Sequence, residues 1–460
     1  MKHPAWSGLV GVARGDITPP VGIYNRNWGA AAHDAAQGIH RPLTLTALIM
    51  AEHASAQPLV LVETDLGWWG SQAFERSFRV RLLAALGLPA ERLIFGVSHT
   101  HATPPLTEPE PQWEGGDLLL PFVERLLATA IETVGRARDA AQPATIDWHT
   151  GHCGLAANRD LPDGDRIVCG YNPAMPADDT LLVGRVTSAT GTVLATITNY
   201  ACHPTTLAWD NQLVSPDYVG AMRETVERAT GGVPALFLQG ASGELAPRYQ
   251  YTGDTAVADA HGRELGYAVL ATLEAMEPPR HELVYAGVVE SGAPLATWRR
   301  RAVTPPGALV AALRIVEVPL KDWPSAADLE RQYRATEDRT LAEQVRRKLR
   351  IREDIGDGET FPLELWAWRL GDAVILGAAV EAYSWIQQGL RAALPGNAVA
   401  WMNLVNGAIG YMPTAALYDS DIYQVWQTPF GRGAIEILGA AAIDLAQELL
   451  GAAEGAPAGR

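Results

Sequence analysis

Leu93-Ile94-Phe95-Gly96-Val97-Ser98-His99-Thr100-His101 is an apolar, strand-forming run that ends directly in two histidines. A short apolar run of this kind reads as a buried strand of an α/β protein. In an extended chain residues i and i+2 project to the same face, so both imidazoles are expected to point into one cleft at the strand's C-terminal end. Two histidines so placed can share a metal ion, although the same pattern also serves a hydrogen-bonded structural pair.

Similar β-rich runs at 59–63, 193–200, 235–239 and 373–376 alternate with helical patterns at 73–86, 121–140, 217–229, 255–277, 381–394 and 433–450. The alternation predicts an α/β fold of mixed β-sheets with surrounding helices. Ser215 followed by Pro216 is expected to cap the helix that carries Arg223. The Pro-containing turn at 277–282, before a β-rich stretch at 283–289, is the nearest thing to a linker, and it lacks the composition of a flexible joint. Residues 1–460 therefore read as one domain with two sequence halves, closed by a small polar tail at 452–460 that is expected to fray.

The formal charge is −16, from 52 acidic and 36 basic residues, which repels a phosphate backbone and an anionic bilayer. The one basic cluster is Arg346, Arg347, Lys348, Arg350 and Arg352. It lies in a stretch, 325–354, that reads as a polar helix with Glu330, Glu337, Asp338 and Glu343 interleaved, so it is read as a solvated face. Neither nucleic acid nor stable membrane insertion is expected, and no apolar run reaches spanning length. Cys153, Cys169 and Cys202 suggest neither a disulfide framework nor a cysteine-based zinc knuckle. Residues 1–13 do not look like a secretory signal, so a cytoplasmic location is the expectation. The expected partner is a small-molecule substrate, with a homo-oligomer left open.

Further polar groups follow other strands. His203 comes soon after the apolar run at 193–197, where open α/β sheets build their sites, yet alone it reads as a satisfied core histidine before it reads as a ligand. Cys202 beside it has no assignable base and reads as an inert buried thiol. The stretch Gln239-Gly240-Ala241-Ser242-Gly243-Glu244-Leu245-Ala246-Pro247 is rich in small residues, as suits a tight turn or close approach to an oxyanion. Glu381 ends another apolar strand at the expected start of a helix, and Gly410-Tyr411-Met412-Pro413 is turn-prone.

In this order the pieces resemble the neutral, non-lysosomal ceramidase family. Gly11-Val12-Ala13-Arg14-Gly15-Asp16-Ile17-Thr18-Pro19-Pro20-Val21-Gly22 is similar to its opening segment, Gly38-Ile39-His40-Arg41 to the piece that follows, and Ser98-His99-Thr100-His101 to its Ser/Thr-His-Thr-His element. Asn158-Arg159, Cys202-His203-Pro204, 239–247, Glu381 and Gly410-Tyr411 continue the match over nearly the whole chain. The resemblance implies a neutral-ceramidase-like catalytic domain with zinc held by His99, His203, Glu381 and Tyr411. It also implies that His101 sits beside the metal, that Arg159 contacts a developing oxyanion and that Tyr423 flanks the pocket. Where the family has a catalytic serine before a proline, this chain reads Ala246-Pro247, and since 433–450 reads as a closing helix the family's carboxyl-terminal immunoglobulin-like domain is expected to be missing.

The expected activity is zinc-dependent hydrolysis of an amide (N-acyl) or ester bond of a small, partly apolar substrate by metal-activated water, an amidase-like reaction. Glu244, two residues from the lost hydroxyl, is the expected general base, with His101 as proton donor to the leaving group. Lactones, carbonates or phosphoesters on the same site, and a non-catalytic zinc or ligand-binding role, are the alternatives. Trp28, Trp68, Trp69, Trp113 and Trp209 read either as an apolar acyl pocket or as packing, with no more than one of Trp68 and Trp69 facing a site.

Overall fold

The computed structural model describes residues 3–451, so the tail at 452–460 lies outside the described residues. The larger sheet has eight strands: β1 (Ala5–Asp16), β2 (Thr44–Ala51), β3 (Leu59–Thr64), β4 (Leu93–Val97), β5 (Gln142–His152), β6 (Thr180–Ser188), β7 (Val193–Tyr200) and β8 (Ala235–Gln239). Their spatial order is β8-β7-β6-β5-β1-β2-β3-β4. All neighbours are antiparallel except the edge pairs β7–β8 and β3–β4. A second sheet follows sequence order through β9 (Leu309–Pro319), β10 (Thr360–Leu370), β11 (Ala373–Ala378) and β12 (Ala398–Met402), with β11 and β12 parallel.

A parallel pair needs a crossover, and each has a helix: α1 (Gln72–Leu86), α3 (Tyr218–Ala229) and α7 (Trp385–Ala393). The two sheets pack face to face through one apolar layer in which Trp6, Trp148, Trp366 and Trp368 are almost fully buried. Helix α1 and α2 (Leu119–Asp139) cover one half of the larger sheet's outer face, while α3 and α4 (Thr255–Glu274) cover the other half. Helices α7 and α9 (Ala434–Gly451) cover the smaller sheet. The result is the mixed α/β class read from the alternating pattern. The turn at 277–282 does fall between the strands of the two sheets, opening a hairpin of His281–Glu290 and Pro294–Ala302. No described helix is long and apolar enough to cross a membrane.

Several local expectations need correction. The stretch 325–354 is two helices, α5 (Ala326–Ala335) and α6 (Arg339–Ile355), because the Asp338 side chain takes the Leu341 N–H and starts a new helix. The helix expected from 381 begins at Trp385; Glu381–Ala382 instead pairs as a short parallel strand with Tyr411–Met412. The cap of α3 is Asp217, at φ 52°, while Ser215 Oγ accepts the Asp217 N–H one step earlier.

The edge strands β4 and β8 come into contact, so the larger sheet curls and its two ends of parallel pairing face one another. Asn406 closes the free edge of β4, accepting from Phe95 N at 2.8 Å and donating to Leu93 O at 2.9 Å. Arg223 of α3 reaches under the curl, gripping both oxygens of Asp65 (2.9 and 2.6 Å) and lying 3.4 Å from Glu63. All three are buried, so the guanidinium offsets two carboxylates out of reach of water. Arg223→Met, which keeps volume and removes charge, is expected to cost about 3–5 kcal/mol of unfolding free energy. Denaturant titration measures it, and a loss below ~1 kcal/mol would show that the ion pair contributes little beyond packing.

Candidate metal centre

Four segments meet at the C-terminal ends of the parallel strand pairs: 98–101 after β4, 201–205 after β7, 240–247 after β8 and 379–384 after β11. His99 does not continue the strand. Its φ is 68°, a left-handed conformation that a β-carbon disfavours, so the two imidazoles of the His-x-His are not aligned by an extended pleat as expected. The turn at His99 brings the rings of His99 and His101 to 4.9 Å, and those of His99 and His203 to 4.6 Å.

The protonation of the two deepest histidines follows from their partners. His99 Nδ1 lies 3.1 Å from the Gly67 carbonyl and His203 Nδ1 lies 2.7 Å from the Ser242 carbonyl. A carbonyl only accepts, so each Nδ1 carries a proton, and a neutral imidazole held this way presents its Nε2 lone pair on the other side. Those two Nε2 atoms are 3.0 Å apart, and Glu381 Oε2 is 3.1 Å from both. Two imidazole nitrogens and a carboxylate oxygen, all able to ligate through lone pairs, thus converge. Ligands around a tetrahedral zinc at about 2.0–2.2 Å lie about 3.3 Å apart, so this donor set fits a divalent cation with little adjustment. Burial, and then the Arg159 charge, push His203 down to about 3. Burial alone would raise Glu381, but its contacts with His99 and His203 hold its carboxyl well below the usual range.

Tyr411 stands next to this trio. Its residue is the register partner of Glu381, and its ring stacks near His203 at 6.2 Å. Burial, and then Glu381, push its phenol well above the usual range. Arg159 donates to the Gly243 carbonyl (3.2 and 2.7 Å) and to Tyr411 Oη (3.2 Å). Gly243 has no room for a β-carbon, which would sit 2.6 Å from Tyr383 and 3.0 Å from the Glu381 carbonyl; this contact joins the small-residue loop to the Glu381 strand. Within the trio of histidines, His99, His101 and His203 offer nitrogen atoms within 4.8 Å of one another. His101 Nε2 is buried without a hydrogen-bond partner among the described residues, and burial holds this imidazole well below its ordinary value. Tyr423, at the start of α8 (Tyr423–Gln427), packs 5.6 Å from Tyr411.

Two cavities, of about 910 and 1140 Å3 including their open mouths, meet at this centre and share His101, Tyr411 and Tyr423. Trp28, Trp209 and Tyr251 line one; Trp68, Trp69 and Trp113 line the other. Both Trp68 and Trp69 reach a cavity, contrary to expectation, because 68–69 is not a continuous strand: Trp68 faces the histidines at 4.8 Å from His101, while Trp69 packs on Phe78 and keeps one edge at the cavity. The basic cluster of α6 also needs correction. Arg346 and Arg352 are buried, and Arg346, Arg347 and Arg350 line the cleft. Glu343, Arg346, Arg347 and Arg350 fall at i, i+3, i+4 and i+7, the spacing of one helix face, which is the signal that could have found them.

Glu244 does not join the centre. Its carboxylate accepts the Ser384 N–H at 2.9 Å and the Ser384 hydroxyl, capping the approach to α7, and it lines neither cavity. The expected general base is therefore turned away from the cleft by a competing pair of donors. Ala246 is likewise buried, paired with Ala157. Burial raises the Glu244 carboxyl from 4.5 to about 7. A raised folded-state value means that the folded protein keeps a proton the unfolded chain loses, so this group's contribution to stability falls as pH rises from 4.5 to about 7. Glu244→Gln is expected to keep the metal and to lose that pH slope. Urea denaturation at pH 5 and pH 8 tests it; an unchanged slope in the variant sinks this account.

The chain matches no protein-family model. It is 27% identical to neutral ceramidase of Pseudomonas aeruginosa over 254 residues, 52% of this chain and 36% of that protein, so the match spans about a third of the relative's length. The crystal structure of neutral ceramidase from Pseudomonas aeruginosa superposes with a TM-score of 0.68 at 18% identity, covering 100% of this chain and 76% of that one. A ceramidase complexed with C2 gives a TM-score of 0.68 at 17% identity, over 100% of this chain and 77% of the other. The chain is thus similar to neutral ceramidase in sequence over about half of its length and in fold over all of it.

Proposed function

We propose that this chain is a zinc-dependent hydrolase that cleaves an amide or ester bond beside an apolar acyl group, with the metal held by His99, His203, Glu381 and Tyr411. The observation that carries this reading is the meeting of two imidazole Nε2 atoms and one carboxylate oxygen within 3.0–3.1 Å, each imidazole fixed from behind by a carbonyl. A divalent cation bound there supplies Lewis-acid polarisation of the scissile carbonyl and activation of water.

The protein's own groups divide the remaining work. Arg159 is held rigidly by Gly243 and Tyr411 at the wall of the aromatic cavity, where its charge meets negative charge developing on the carbonyl oxygen. His101, clamped between Trp28 (5.2 Å) and Trp68 (4.8 Å), accepts a proton from the attacking water and passes it to the leaving nitrogen or oxygen. Attack by water rather than by a side chain is supported by the buried Ala246 and by Ser242, whose hydroxyl is buried behind His203 at 3.3 Å from Nδ1 and accepts from Gln239. Trp28, Trp209 and Tyr251 offer the acyl group an apolar chamber.

Elemental analysis of the purified chain should find about one zinc per protein, and His203→Ala should abolish it. In parallel, hydrolysis of short N-acyl amides and esters should fall at least ~100-fold in the same variant. A metal-free wild-type protein that still cleaves them, or a metal content untouched by the substitution, would overturn the assignment.

A further inference from the structure

The cleft carries more positive charge than the centre itself uses. Arg26, Arg346, Arg347 and Arg350 all line the cavity that opens past Trp68 and Trp113, and Glu343 and Glu381 are the carboxylates among its lining residues. Glu381 faces the histidines. Glu343 is divided between Arg346 and Arg347, at 2.9 Å from Arg347 Nε. Glu110, behind the wall, is likewise divided: its Oε1 takes Arg346 at 2.7 Å and Arg350 at 3.1 Å. Arg26 donates to the Trp28 and Gly29 carbonyls at 3.3 and 2.6 Å and forms no ion pair among the described residues. Asp34, which also acts on Arg26, is paired with Arg339. Three guanidiniums therefore share two carboxylates, and the fourth, Arg26, is paired with neither.

On a chain with a formal charge of −16 this is a local reversal of sign, held in a concave wall where it is weakly screened. The arginines are also held in place. Arg346 and Arg350 stack on the Trp113 ring at 4.6 and 5.7 Å, and Arg347 stacks on Trp68 at 5.8 Å. Fixed, planar guanidiniums suit a planar anion that accepts two parallel N–H donors.

We infer that this cavity takes a carboxylate carried by the substrate: the molecule cleaved is an acyl compound whose apolar half lies against Trp28, Trp209 and Tyr251 and whose other half ends in a carboxylate facing Arg26 and Arg350. The choice of bond rests on the hydrolytic reading above; the binding of the anion does not. The two cavities meet at His101, Tyr411 and Tyr423, so such a molecule places its central linkage at the metal centre.

Isothermal titration of the full chain with N-dodecanoylglycine and with its uncharged amide, N-dodecanoylglycinamide, separates charge from apolar burial. The glycine compound is expected to bind at least ~10-fold more tightly, and added salt should shrink the difference. Arg350→Gln should reduce the preference to ~3-fold or less, and Arg26→Gln, on a different segment, should do so independently. Equal affinities in the wild-type protein overturn the inference. So does a preference that survives both substitutions, since the carboxylate would then be held by the metal alone. Assaying cleavage of the same two compounds keeps the readings apart: intact preference without hydrolysis removes the enzymatic proposal and leaves the anion site standing.

Discussion

The carbonyl oxygens of Gly67 and Ser242 each take the Nδ1 proton of a buried histidine, and the chemistry of the cleft follows from that constraint. With an Nδ1 proton committed outward on each, His99 and His203 turn their Nε2 atoms toward one another and toward Glu381, where neutral imidazoles present lone pairs. Such an arrangement is electrostatically unfavourable by itself, since donors of electron density face each other in a buried space. It becomes favourable when a cation completes it, which is why the two backbone contacts matter as much as the ligating atoms.

The fold supplies what those contacts need. Gly67 follows β3, one strand in from one edge of the eight-stranded sheet, and Ser242 follows β8 at the other edge, and only curling brings those ends together. Arg223 beneath the curl and Asn406 along the edge of β4 hold the closure from two sides. The second sheet contributes Glu381 through a short parallel pairing with Tyr411, so the centre is completed across both sheets and is not the property of either. The left-handed backbone at His99 is the local cost of this geometry, offset by its surroundings.

Around the centre the two cavities differ in kind. One is lined by Trp28, Trp209 and Tyr251, the other by Arg26, Arg346 and Arg350 beside Trp68 and Trp113, and Arg347 and Glu343 line both. A cleft with an apolar arm and a cationic arm meeting at a metal-binding geometry favours a substrate with two unlike ends. That contrast distinguishes this site from a plain apolar channel, and it arises from one face of α6 and from Arg26.

Strand positions such as Leu93–Val97 and Val193–Tyr200 were legible in the chain because apolar periodicity is a local property set by which neighbours must avoid water. So was the identity of the polar residues that end those strands, and the resemblance to neutral ceramidase gathered His99, His203, Glu381 and Tyr411 into one group before any geometry was known. The left-handed turn at His99 and the capture of Glu244 by Ser384 were not legible, and the spacing of Arg346, Arg347 and Arg350 showed a shared helix face but not that it turns inward. Each depends on partners far away in the chain: 140 positions separate Glu244 from Ser384, and 236 separate Glu110 from Arg346. A sequence alone determines which residues seek burial and which carry chemistry. Which carboxylate faces the cleft, and which charges stay underpaired, is decided only when distant segments compete for the same donors in the folded chain.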